Sequence, residues 1–254
     1  MNQILRIGVT LVSILAPLLV RGAEPAAPSF YELRLYTVSS NKMDAVQARF
    51  RDTVEPVRQK HGIRTLAYWT APGPNRGGTF AYLLAAPSAA ALREQELQFG
   101  ADPEFQAGYA ASKEKHGETV DRIVSLPLTV DPTARFDLSP ATKPRAFELR
   151  IYSILPGKLE AFRNRWRDHA IPIYRRHHLD CLGWWVAATP DSNGQDRFVC
   201  LLAGESAASI PASITAFHED PEWIRIEKET EAQGPLRSGI TIHRWTPTSF
   251  SPLR

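Results

Sequence analysis

Two triplets of chemically capable side chains recur in this chain: Glu32, Arg34 and Tyr36, and again Glu148, Arg150 and Tyr152. Each triplet alternates with apolar residues, so a strand of period two would place its three polar side chains on one face. An arginine on such a face can hold a carboxylate or another anion while Glu or Tyr handles a proton. The same residues could instead pair with each other, or with a facing sheet, and fix register without any ligand. If Leu33 and Leu35 lie under helices, both triplets turn into a shared interior. His61 and His177 each close a helical pattern, where the helix dipole alone favours histidine; a functional role would need them at the mouth of that interior. Trp184 and Trp185 are adjacent on a strand, so one faces each side, which makes Trp185 a candidate lining residue.

His169, His177 and His178 are close in sequence. Two ligands eight positions apart on one helix do not share a centre readily, and no carboxylate completes a site, so no metal is expected. Cys181 and Cys200 are the only cysteines. They fall on consecutive strands, where a disulfide needs a particular register and two buried thiols need none. The chain has no phosphate loop, dinucleotide fingerprint, nucleophile elbow or His-Glu-x-x-His motif.

The elements that must position these residues are duplicated. Glu32 with Glu148, Arg34 with Arg150, Tyr36 with Tyr152 and His61 with His177 are each 116 positions apart. Residues 30–38 alternate as a strand, and Met43, Val46, Phe50, Val54 and Val57 form one helical stripe that Pro56 should end or kink. Strands at 63–70 and 79–85 read as a hairpin, helices follow at 88–99 and 103–116, and a strand at 119–129 closes the unit. This β-α-β-β-α-β order is ferredoxin-like. The second copy repeats it with a hairpin loop two residues longer, after which the spacing becomes 118. The expected organisation is a signal peptide at 1–22, a linker at 23–29, unit 1 at 30–130, a linker with three prolines at 131–145 and unit 2 at 146–250.

Residues 1–22 carry Arg6, an apolar run from Ile7 to Val20 and a small-residue exit at Gly22. That pattern predicts export to the periplasm or outside the cell, with no stable membrane insertion after cleavage. The 254 residues are 43% apolar with net charge +3, and no basic cluster is dense enough for a nucleic-acid partner.

Tyr/Phe-Glu-Leu-Arg-x-Tyr, the turn Pro156-Gly157-Lys158, an amphipathic helix with Pro172, a histidine at the helix end and a later Asp-Pro-Glu-aromatic turn resemble the NIPSNAP domain. The resemblance covers both copies and nearly everything after residue 29. It departs at Ser39-Ser-Asn-Lys42, which replaces Pro-Gly-Lys, and at His178, where glycine would follow the histidine. The family's fold is similar to dimeric α+β barrels, so the resemblance implies two ferredoxin-like units packed sheet to sheet as a tandem α+β barrel within one chain. It implies a small-molecule or protein binding module using the barrel interior. The alternative is a cofactor-free monooxygenase-like or related enzyme acting on a small organic molecule there. No cofactor is expected; a haem-binding variant is a third reading, which a visible spectrum with added haem would decide. A homo-oligomer is compatible with all of these.

Overall fold

The structure, a computed structural model, describes residues 28–73, 77–139, 141, 143 and 145–254. The expected signal peptide lies outside the described residues. Unit 1 runs β1 (Phe30–Val38), α1 (43–60), β2 (Arg64–Pro72), β3 (Gly78–Ala86), α2 (Ala89–Ala101), α3 (Pro103–His116) and β4 (Val120–Val130). Unit 2 repeats this as β5 (Ala146–Ile154), α4 (159–176), β6 (Asp180–Ala187), β7 (Asp196–Gly204), α5 (Ser209–Glu219), α6 (Pro221–Thr230) and β8 (Arg237–Pro247). Two helices follow each hairpin, as expected, with Asp102 and Asp220 capping the second of each pair through their side chains.

The eight strands form one closed barrel in the order β1-β3-β2-β8-β5-β7-β6-β4. Each unit contributes the ferredoxin-like sheet, and two short seams join them. β2 meets β8 at Trp69↔Pro247 and Thr70↔Thr246; β4 meets β6 from Leu128↔Ala187 to Val130↔Trp185. Each unit's tail then laces the other's sheet. The Asp137 amide donates to the Leu182 carbonyl, and the Thr248 and Leu253 amides donate to Tyr68 and Leu66. Gly183 leaves the space that the Phe136 ring of the linker occupies: a Cβ there would lie 2.4 Å from that ring.

The barrel interior is an apolar core built from both units, including Leu33, Trp69 and Leu83 from the first and Phe147, Leu149, Trp185 and Leu201 from the second. The faces of the triplet strands are therefore the reverse of the sequence expectation. Tyr31, Leu33 and Leu35 point into the barrel, and Glu32, Arg34 and Tyr36 point toward the helices, as do Glu148, Arg150 and Tyr152. An enclosed interior of aliphatic and aromatic side chains has no partner to offer a charge, whereas the helix layer supplies carboxylates and phenols.

The long helices are not broken by their prolines. In α1 the segment Phe50–Val54 is a π-helical turn, with the Glu55 amide donating to the Phe50 carbonyl. Trp166–Ala170 does the same in α4. Pro56 and Pro172 then fall at the start of the following α segment, where a missing N–H costs least. Both helices end in a left-handed residue, Gly62 (φ 69°) and His178 (φ 61°). Left-handed backbone is unstrained for glycine only. His178→Gly is expected to raise stability by about 0.5–1 kcal/mol in urea unfolding; a loss would mean that the exposed imidazole makes a compensating contact.

Cys181 and Cys200 are both free. Burial pushes the Cys181 thiol up to about 12.

Candidate functional site

The helix-facing triplet of unit 2 ends in a cavity of about 150 Å³ between β5, β8 and helices α4, α5 and α6. Phe162 and Trp166 of α4 stand one helical turn apart, with Arg165 between them on the same face. The Tyr174 ring stacks on Phe217 of α5 at 3.9 Å, and Phe217 packs on Trp223 of α6 at 4.5 Å. Ile240, Ile242 and Arg244 of β8, with His218 and Arg237, form the more open side.

Arg150 supplies the chemistry. It is 3% exposed, and Glu148 beneath it is fully buried. The Nε of Arg150 donates to Glu148 Oε1 at 2.6 Å, and Nη1 donates to the Tyr174 and Tyr152 hydroxyls at 2.9 and 3.3 Å. Arg244 Nε donates to the other Glu148 oxygen at 2.7 Å. Among the described residues Nη2 of Arg150 has no partner, and Arg150 lines the cavity. Burial opposes its charge, but Tyr152, Tyr174 and Glu148 outweigh burial and hold its pKa above the ordinary value. Burial raises the pKa of both phenols, so they stay protonated at neutral pH. Burial, with Arg150 second, lowers that of His218. Arg165, 4% exposed, is paired with Glu231 at 2.8 Å. Of the four guanidiniums around the cavity, three thus pair with two carboxylates, Glu148 and Glu231.

Unit 1 builds the same place differently. Its cavity of about 220 Å³ is lined by Arg34, Tyr36, Phe50 and Arg58, among others. Arg34 has the matching contact to Glu32 at 2.6 Å, but its Nη2 is paired with Glu96 at 2.5 Å. Glu96 corresponds to Ile214 in unit 2, at the 118-residue spacing. Arg58 takes the place of Tyr174, Tyr82 that of Cys200, and Arg58 stacks over Tyr82 at 4.4 Å. Carboxylates therefore neutralise the exposed edge of the arginine in unit 1, whereas unit 2 leaves it open.

The remaining candidates fall elsewhere. His61 and His177 hydrogen-bond Asp102 and Asp220 through Nε2, each at 2.8 Å, and so tie the end of each long helix to the cap of the last one. They are not at a barrel mouth. Lys60 and His61 hold Asp102 below the usual carboxylate range; for Asp220, Arg176 and His177 do so against burial. A depressed native value means stability that is present above the unfolded carboxylate pKa and lost as pH falls through the native one. Wild type is expected to lose melting temperature steeply below about pH 4, and the double change Asp102→Asn, Asp220→Asn to flatten that limb. An unaltered acid limb would assign it to other carboxylates. Trp185 is fully buried in the barrel core, packed against the stacked rings of Tyr31 and Phe136.

The structure thus unites Glu148, Arg150 and Tyr152 with residues that sequence reasoning did not single out: Arg165, Tyr174, Phe217, His218, Trp223, Arg237 and Arg244. The i, i+3, i+4 spacing of Phe162, Arg165 and Trp166 was the available signal for the first of these. Among the described residues no three His, Cys, Asp or Glu side chains form a metal-holding group, and no helix is long and apolar enough to cross a membrane.

Solved structures with the same fold are distant in sequence. A provisionally named monooxygenase from Fusobacterium nucleatum subsp. nucleatum is 10% identical, with a TM-score of 0.58 over 87% of this chain and 93% of its own. One from Lactobacillus acidophilus is 9% identical, with a TM-score of 0.52 over 87% and 94%. An anthrone oxidase-like protein is 10% identical, with a TM-score of 0.52 over 89% and 94%. At these identities the likeness is one of fold. No curated protein sequence matches the chain. The NIPSNAP family model matches twice, over residues 31–132 and 147–252, once in each unit. The chain therefore belongs to the NIPSNAP family, as a tandem of two such domains closed into one barrel.

Proposed function

We propose that this protein binds a small organic acid in the helix-side cavity of its second unit, not in the barrel interior. The interior is filled by side chains. The observation that carries the reading is the open Nη2 edge of buried Arg150, in an otherwise largely apolar cavity, at the position where Arg34 is capped by Glu96. A buried guanidinium with an unused donor gains more from an anion than from any neutral ligand. The ion pair with Glu148 fixes the arginine's orientation, so little is lost in ordering it on binding.

A panel of small organic acids should raise the melting temperature of the wild type, with about 2.7 kcal/mol of stabilisation when a ligand is present at 100 times its Kd. The corresponding methyl esters and amines should not. Arg150→Gln should abolish the shift and Arg34→Gln should keep it. A shift that survives in the first variant and disappears in the second would move the site to unit 1 and overturn the proposal. We propose also that the protein works outside the cytoplasm, on the pattern of residues 1–22. The exported form should begin at Ala23; intact Met1 on a protein confined to the cytoplasm would refute this.

A further inference from the structure

We infer that the ligand of the unit 2 cavity is a single-ring aromatic carboxylate of the benzoate class, its carboxylate on Arg150 and its ring among the aromatic walls. The inference rests on the reading of this cavity as an acid site and narrows it by size, shape and charge.

Size comes first. The cavity measures about 150 Å³. An apolar cavity of about 150 Å³ accommodates one benzene ring. A second fused ring does not fit without displacing Trp166 or the stacked Tyr174–Phe217 pair, and those side chains are fully or nearly fully buried. Shape comes second. Phe162, Trp166, Phe217 and Trp223 offer ring faces and edges, to which a flat ring packs with more contact than a flexible chain. A chain of similar volume also loses rotor freedom on binding.

Charge decides the head group. Deep in the cavity, Nη2 of Arg150 is the open guanidinium edge, because Nε is held by Glu148 and Nη1 by the two phenols. The Tyr152 and Tyr174 hydroxyl oxygens accept from Nη1, and the two phenols hydrogen-bond each other, which leaves one phenolic proton for an incoming acceptor. One planar carboxylate matches one guanidinium edge with one neighbouring hydroxyl donor. A tetrahedral phosphonate sets its three oxygens out of one plane and is bulkier than a carboxylate, so it matches that single planar edge less well. Arg237 and Arg244 lie toward the open side, where they can draw an anion in from solvent.

Calorimetric titration tests this with benzoate, cyclohexanecarboxylate, octanoate, 2-naphthoate, phenylphosphonate and benzyl alcohol as probes. Benzoate is expected to bind at least tenfold more tightly than every other probe. Arg150→Gln should weaken benzoate at least 100-fold, and Arg34→Gln should leave it within twofold. Arg150 sits in a buried ion pair, so a second variant guards against simple misfolding. Ile214→Glu gives unit 2 the cap that Glu96 provides in unit 1, and should abolish benzoate binding while the melting temperature stays near wild type. Octanoate, naphthoate or phenylphosphonate binding as tightly as benzoate, still dependent on Arg150, would overturn the ligand class and leave the acid site standing. Failure of every acid to bind would overturn both.

Discussion

Glu148→Ala is expected to cost about 3–5 kcal/mol of stability in urea unfolding, whereas Glu32→Ala costs about 1 kcal/mol or less. The two glutamates hold the same place in their units and make the same 2.6 Å contact to an arginine. They differ in what remains after removal. Arg34 keeps Glu96, and its side chain is 18% exposed, so water and a second carboxylate still serve its charge. Arg150 would stay buried with only two phenols, and Arg244 would lose its partner. Breaking one side of a buried pair is the costly change; replacing both sides by apolar groups is often neutral. The double variant Glu148→Met, Arg150→Met should therefore recover most of the loss. Equal losses for Glu148→Ala and Glu32→Ala would show that burial does not set the difference.

Trp185→Ala should cost about 3–5 kcal/mol, the range for a large aromatic removed from a packed core. Its ring lies 5.4 Å from Tyr31 of unit 1 and 5.2 Å from Phe136 of the linker. One side chain therefore connects both units and the segment between them, next to a seam only three residue pairs long. The variant should unfold at lower urea, and its transition should broaden or divide as the units lose their coupling. A loss below about 1 kcal/mol would mean that the neighbouring rings collapse into the space.

Much of the architecture is written locally. Alternation over 30–38 and the Met43–Val57 stripe fixed a strand and a helix, and the 116-residue spacing fixed the duplication. The direction of the triplet strand was not local. Leu33 could satisfy either a helix or another sheet; its in-sheet neighbours Leu83 and Leu126 belong to the same unit, and only the core shared with Phe147, Leu149 and Leu201 of the other unit decides for the barrel. β3 carried a hint, since Ala81, Leu83 and Ala85 alternate with Phe80, Tyr82 and Leu84, so that both of its faces are apolar. The π turns were hidden because the proline signal pointed to a break, and the register shift that accommodates it depends on hydrogen bonds rather than composition. Arg237 and Arg244 reach the site through strand pairing across nearly a hundred residues. The exchange of Glu96 for Ile214 was legible at constant spacing, but it had no meaning until Arg34 was seen to touch Glu96.

The union of both units in one chain has a consequence for inheritance. In a barrel made of two identical subunits, every substitution is made twice, so a change that opens one pocket opens both and exposes two buried arginines at once. A tandem chain escapes that coupling. Ile214 can remove a counter-charge from one pocket while Glu96 keeps it in the other, and the closed half holds the shared core together as the open half changes. Fusion lets one copy vary while the other preserves the fold.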